Sequence, residues 1–238
     1  MKLRIENLEK SYGRNAVLRG ASHTFESGKI YGILGRNGSG KTTMFHCLAG
    51  GLRFEGGTVT LEPGDGAPRP ARYDDVGFVF AEPHLPEFMT GYEFIRYFTD
   101  IHRHKIGGGI DIGEKLAFVG LQGAEAHRLI RHCSRGVQHK LQFLAFLLLR
   151  PPVILLDEPL TSFDVVAALQ FKGMLKSLKG EHIIILSTHI LQLAQDLCDE
   201  VVILHEGRLT AMDAGKMRGG DFEGQVMEAL TGGGVRDA

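Results

Sequence analysis

Eight residues constrain this chain more than any others. Gly35-Arg36-Asn37-Gly38-Ser39-Gly40-Lys41-Thr42 fit the spacing G-x-x-x-x-G-K-[ST]. Residues 29–34 before them read as a buried strand, and Met44, Phe45, Cys47 and Leu48 after them fall at helical spacing. Gly35, Gly38 and Gly40 let the backbone turn tightly, so successive N–H groups can point into one concavity. A helix beginning near Gly40 adds its partial positive N-terminus, which favours a polyphosphate. Lys41 would then reach the β- and γ-phosphates, and the Thr42 hydroxyl would hold Mg²⁺. A glycine-rich turn that matched by chance would lack the strand before it and the helix after it. The chain is expected to bind a nucleoside triphosphate.

A second feature lies far downstream. In Val153-Ile154-Leu155-Leu156-Asp157-Glu158 a run of buried aliphatics delivers two acids to the carboxyl end of a strand. Parallel sheets place their ligand sites there. Asp157 would fix Mg²⁺ through its water shell, and Glu158 would polarise an attacking water as general base. Two acids that simply end a strand in solvent are the plain alternative, and the loop upstream weighs against it.

The remaining pattern says what kind of domain carries these features. Residues 2–34 read as short strands around Leu3/Ile5, Ala16-Val17-Leu18 and His23-Thr24-Phe25, an antiparallel layer beside the main sheet. Two more strands are expected around residues 58–61 and 76–80, with residues 63–70 between them as a loop without regular structure. Residues 90–131 change to helical spacing, interrupted at Gly107-Gly108-Gly109. A helix from 134 to about 149 must stop before Pro151. Strands at 153–156, 183–186 and 201–204 then alternate with helices at 165–178 and 190–197, the pattern of a parallel sheet covered by helices. His205-Glu206-Gly207-Arg208 reads as a hairpin turn, and the glycine-rich tail from Gly215 as loosely held.

Bulk properties narrow the setting. A net charge of −1 over 238 residues calls for neither nucleic acid nor an anionic membrane surface as a bulk partner. Cys47, Cys133 and Cys198 are widely spaced without metal spacing, so reduced cytoplasmic thiols are expected. The start of the chain alternates like a strand and does not read as a signal peptide. The most apolar stretch, residues 141–156, is cut by Arg150-Pro151-Pro152 and is too short to cross a bilayer.

Taken together, these features resemble the ATPase subunits of ATP-binding cassette (ABC) transporters over nearly the whole chain. Residues 35–43 look like the family's Walker A loop, with Thr43 as its second threonine. Leu8-Glu9-Lys10-Ser11-Tyr12-Gly13 looks like the adenine platform, with Tyr12 as the ring that stacks on the base. Asp157-Glu158-Pro159 matches the Walker B acid, catalytic Glu and following Pro; His189 matches the switch His at the γ-phosphate, and Asp164 the end of the D-loop. The resemblance implies a P-loop α/β fold of the ABC-ATPase type, with a mostly parallel core sheet, an antiparallel β-layer and a helical insertion. It implies one domain over residues 1–238. The nucleotide-binding core would be residues 1–89 and 150–215, the helical subdomain 90–149, and the C-terminal tail 216–238.

The sequence departs from the family pattern in three places. The signature L-S-G-G-Q is replaced by Cys133-Ser134-Arg135-Gly136-Val137, which keeps Ser134 and Gly136 to meet a facing subunit's ATP. Arg135 either adds a contact to that phosphate or points to solvent. The basic cluster Arg128, Arg131, His132, Arg135, His139 and Lys140 either draws in the partner's nucleotide or is a solvated helical face. Ala81 stands where the family has a Gln, with Glu82 next to it, which leaves turnover and coupling open. The D-loop, residues 160–164, lacks its usual Gly.

By resemblance the chain is the ATP-hydrolysing subunit of an export system, using ATP and Mg²⁺. It would pair with a second ABC ATPase subunit, identical or related, and with a transmembrane permease, at the inner face of the cell membrane. The tail residues Phe222, Glu223 and 229–232 resemble exporter ends. A soluble, non-transport ABC ATPase acting as a regulatory module is the competing expectation, and a P-loop small-molecule kinase a poorer third. The cargo is not legible.

Overall fold

The chain opens with two antiparallel strands, β1 (Lys2–Tyr12) and β2 (Asn15–Glu26), then β3 (Ile30–Leu34), which runs through the glycine loop into α1 (Lys41–Leu48). Strands β4 (Gly56–Glu62), β5 (Arg69–Pro70) and β6 (Val76–Val79) follow. Helices α2 (Gly91–Ile101), α3 (Arg103–Ile106) and α4 (Ile112–Phe118) precede the longer α5 (Arg135–Leu148). Then β7 (Val153–Asp157), α6 (Val165–Leu178), β8 (Ile183–Thr188), α7 (Leu191–Leu197), β9 (Glu200–His205) and β10 (Arg208–Ala211) alternate, and α8 (Phe222–Thr231) comes last. The structure is a computed structural model that describes residues 1–64, 66–161, 163–212 and 222–231.

Two sheets result. One is antiparallel, in the order β2-β1-β4-β5; the other has six strands in the order β10-β9-β3-β8-β7-β6. All neighbours in the six-stranded sheet pair in parallel except the β9–β10 hairpin at its edge. Its strands read as unbroken aliphatic runs because both faces are covered. Ile30, Leu34, Ile154, Leu156, Ile184 and Leu186 face the core under α5, α6 and α7. The alternate residues Tyr31, Ile33, Leu155 and Ile185 face a second core, shared with Leu3, Ile5, Phe25 and Leu61 of the antiparallel sheet and with Met44 and Phe45 of α1. The mixed α/β fold matches the expectation.

Helix ends follow local chemistry. Thr90 and Glu93 form a reciprocal capping box at the start of α2, with N–H to side-chain distances of 3.1 and 2.8 Å. Ser134 caps α5 by accepting the Val137 N–H at 3.3 Å. α5 ends before Pro151, and Arg150 turns the chain with a φ of 49°. Among the described residues no helix is long and apolar enough to cross a membrane.

Several expectations need correction. The three short strands before β3 are two long ones, because bulges around Asn7 and Leu8 let β1 bend and keep pairing with β2. Residues 63–70 are not all loop: Arg69 and Pro70 pair with Leu61 and Thr60 at the sheet edge, where a proline costs no ladder hydrogen bond. The tail is not all loose either. Phe222 and Val226 of α8 are buried in the core beneath β9, while residues 213–221 and 232–238 lie outside the described residues.

Candidate active site

The glycine loop leaves the carboxyl end of β3, flanked by β8 and β9. Two of its glycines are required by their surroundings. A Cβ on Gly35 would lie 2.5 Å from Ser39 Oγ and 2.8 Å from the Leu204 carbonyl oxygen. One on Gly40, where φ is 105°, would meet Val17 Cγ1 at 2.7 Å. Arg36, Asn37 and Gly38 form the exposed tip, and Ser39 and Gly40 lead into α1. Thr43 is half-buried on the first turn of α1 beside Thr42.

The Lys41 ammonium folds back onto this loop, donating to the Gly35 carbonyl at 2.8 Å and the Arg36 carbonyl at 3.3 Å. Burial lowers its pKa, and the nearby carboxylates of Glu158 and Asp157 oppose that shift. Thr42 is aimed across the sheet. Its hydroxyl donates to Asp157 Oδ2 at 2.7 Å.

β7 carries the acids. Asp157 is 3% exposed, and its other oxygen accepts the hydroxyl of Ser187, the residue paired with it on β8. Glu158 leaves the strand with a φ of 47°, held there by backbone hydrogen bonds to Ser187 Oγ at 3.1 Å and to the Ser187 carbonyl at 3.2 Å. Such a left-handed turn in a non-glycine residue is uncommon and swings the side chain off the strand line. Glu158 Oε1 lies 2.9 Å from His189 Nδ1. Its Oε2 is buried and has no hydrogen-bond partner among the described residues, as is true of Ser39 Oγ. Lys41, Thr42, Asp157, Glu158 and His189 therefore converge at the carboxyl ends of β3, β7 and β8.

The donor set suits a small hard cation. Thr42 and Asp157 bring a hydroxyl and a carboxylate into contact, oxygen ligands of the kind Mg²⁺ prefers. Glu158, next in sequence to Asp157, adds a carboxylate with one oxygen that has no hydrogen-bond partner among the described residues.

Other expected residues stand apart. Tyr12 ends β1 and is 50% exposed. Ser134 spends its hydroxyl on the α5 cap, Arg135 is exposed, and Gly136 is buried. No hydrogen bond or ion pair among the described residues joins these three to the loop or the acids. Asp164 caps α6 by accepting the Ala167 N–H at 2.8 Å, and its neighbour Ser162 lies outside the described residues.

The basic cluster does not form one solvated face. Arg128, Arg131, His132 and Arg135 are exposed, but His139 and Lys140 are buried, at 3% and 9% exposure. They lie on the core-facing side of α5, one turn beyond its exposed start. Burial pushes the His139 pKa down, and a hydrogen bond to the Ala81 backbone partly offsets this. Ala81 and Glu82 are both exposed.

Sequence reasoning missed Ser187. Its only signal was a hydroxyl residue ending an aliphatic strand, and its role depends on a pairing register that brings it opposite Asp157.

Comparison with known proteins gives the family. A family model described as ABC transporter matches residues 18–161. The chain is 35% identical over 218 residues to the fluoroquinolones export ATP-binding protein of Mycobacterium tuberculosis, covering 89% of this chain and 70% of that protein. It is 33% identical over 200 residues to the ABC transporter ATP-binding protein NatA of Bacillus subtilis, covering 81% and 80%. A solved ATP-binding cassette, a dimer in a post-hydrolysis state with ADP and Pi, superposes with a TM-score of 0.76 at 22% identity, over 91% of this chain and 99% of that one.

Proposed function

The chain belongs to the ABC transporter family as an ATP-binding subunit and ATPase, and from that premise we propose that two such subunits close on ATP to drive an export permease. In this reading the Gly35–Thr42 backbone and Lys41 cradle the triphosphate, Thr42 and Asp157 hold Mg²⁺, and Tyr12 stacks on the base. When bound, the cation neutralises charge that develops on the phosphate oxygens. Glu158 takes the proton of the attacking water on its free oxygen, while His189 holds the other oxygen and so fixes the carboxylate's direction. Ser187 does the same for Asp157. Ser134 and Gly136, at the start of α5, meet the γ-phosphate held by the facing subunit. Asp164, capping α6, belongs to the loop between the two subunits.

One observation carries the hydrolytic reading: Glu158 has one oxygen held by His189 and the other buried and unpartnered. A carboxylate that merely ended a strand in solvent would not keep a buried, unpartnered oxygen. Residues 90–149 act as the helical subdomain, and with residues 81–92 they face the permease. The subunit then sits in the cytoplasm, at the inner face of the membrane through that partner. The export direction rests on the likeness to the relative named for fluoroquinolones export. Ala81 favours a second reading, a regulatory ABC ATPase without a permease, since its methyl group cannot coordinate.

Glu158→Gln tests the mechanism. Losing a general base lowers turnover about 10²–10⁴-fold, and ATP binding should persist, so the variant should elute as an ATP-dependent dimer on gel filtration. A monomer at saturating Mg-ATP would overturn the two-subunit site. Purification from detergent-solubilised membranes separates the two readings: with no polytopic membrane protein bound, the permease-coupled reading fails.

A further inference from the structure

Tyr12 has a built support beneath it. Lys10 lies two residues back and so on the same side of β1, with its Nζ over the Tyr12 ring, 5.4 Å from the centroid. The lysine is 9% exposed, and its ammonium donates to Glu55 Oε1 at 2.6 Å. The second Glu55 oxygen accepts the backbone N–H of Ser11 at 2.8 Å, and the Glu55 N–H donates to the Glu9 carbonyl at 2.9 Å. The Glu55 carboxylate therefore anchors the cation against the ring and the residue between them, and the Glu55 backbone ties in the strand before both. Half of Tyr12 stays exposed.

The electrostatics agree with a permanent cation there. The hydrogen bond to Glu55 raises the Lys10 pKa, and the bonds from Lys10 and from the Ser11 N–H lower that of Glu55. A cation on one face attracts π density. It also restricts the ring to one orientation, so less freedom is lost when a base stacks on the opposite face. Phosphate binding at Lys41 needs none of this, since no hydrogen bond or ion pair among the described residues joins Glu55 or Lys10 to the glycine loop.

We propose that Glu55, acting through Lys10, is the positioning residue of the base platform: it locks the Tyr12 ring for stacking on a purine and sets how much affinity the base adds to that of the triphosphate. This rests on the reading of Tyr12 as the base platform. Glu55 touches no substrate in this arrangement and works only through the ring.

The test compares equilibrium binding of Mg-ATP and of Mg-tripolyphosphate, which has no base, to the full chain and its variants. Tyr12→Ala should weaken ATP about ten-fold, the cost of losing a stacking aromatic, and leave tripolyphosphate unchanged. Glu55→Gln and Lys10→Met should each weaken ATP about 2- to 5-fold with tripolyphosphate unchanged, and combining them should add nothing further. Lys10→Arg should restore ATP binding. If Tyr12→Ala weakens ATP but neither Glu55→Gln nor Lys10→Met does, the positioning role is overturned and the platform stands. If Glu55→Gln and Lys10→Met weaken both ligands alike, their role is structural and the inference is overturned. If Tyr12→Ala leaves ATP binding unchanged, the platform reading falls and takes the inference with it. Should Glu55→Gln fail to fold, the Lys10 variants carry the same comparison.

Discussion

The glycine loop and the start of α5 are both helix N-termini that offer backbone N–H groups, yet they are prepared differently. At the loop, the side chains that would meet a phosphate or its cation are already engaged. Lys41 is buried and donates to the carbonyls of Gly35 and Arg36, and the Thr42 hydroxyl donates to Asp157. At α5, Ser134 makes a single local cap and Arg135 is exposed. A ligand entering the loop therefore replaces contacts within a polar network, and its affinity is the difference between the two sets. The α5 terminus has only the Ser134 cap to give up among the described residues. The first region is a polar network whose partners a ligand would exchange, and the second, in the proposed reading, is a surface that acts against a facing subunit.

Lys41→Ala breaks that contrast most severely. Removing a buried cation from a charge-paired site costs about 2–5 kcal/mol, so ATP affinity should fall about 30-fold or more by calorimetry. A loss under ten-fold would mean that the loop backbone alone carries binding.

Ser134→Ala should act only on the second region. Losing the cap costs about 1 kcal/mol of stability in urea unfolding, while ATP binding to the isolated subunit stays unchanged and ATP-driven association weakens. If single-subunit affinity falls instead, α5 contributes to its own chain's nucleotide and the contrast fails.

The smallest effect is one of pH. Burial, with Arg135 nearby, holds the His139 pKa below the ordinary value, so the folded chain takes up its proton only at lower pH than the unfolded chain does. Its contribution to stability is full above about pH 7 and is lost as pH falls from about 6.5 through the folded value. His23, also kept low by burial, adds a term of the same sign. His139→Gln should flatten the decline in urea midpoint between pH 7 and 5. An unchanged slope would show that His139 does not titrate with unfolding.

What could be read from residues alone has local causes. The glycine loop was legible because its spacing, the strand before it and the helix after it lie within twenty residues. The acids at 157 and 158 were legible because an aliphatic run must end where parallel strands place ligands. α5 was legible because Ser134 can cap and Pro151 must stop it. β1 and β2, by contrast, looked like fragments, since a bulge interrupts alternation without ending the pairing. α8 looked loose because glycines surround it, and only the core beneath β9 explains its two buried residues.

The same division runs through the site. The order of residues alone set out a triphosphate loop and an acid pair, and its resemblance to a family of ATPases led us to expect an aromatic at the end of β1 and a histidine after β8 at the same site. Tertiary structure decided which partners complete them: Ser187 for Asp157, His189 for Glu158, and Glu55 with Lys10 for Tyr12. It also moved His139 and Lys140 from an expected basic surface into the interior. The physical reason is range. Backbone conformation and helix caps are set by neighbours in sequence, whereas a hydrogen bond across 30 or 45 residues exists only once the strands have paired and set its register.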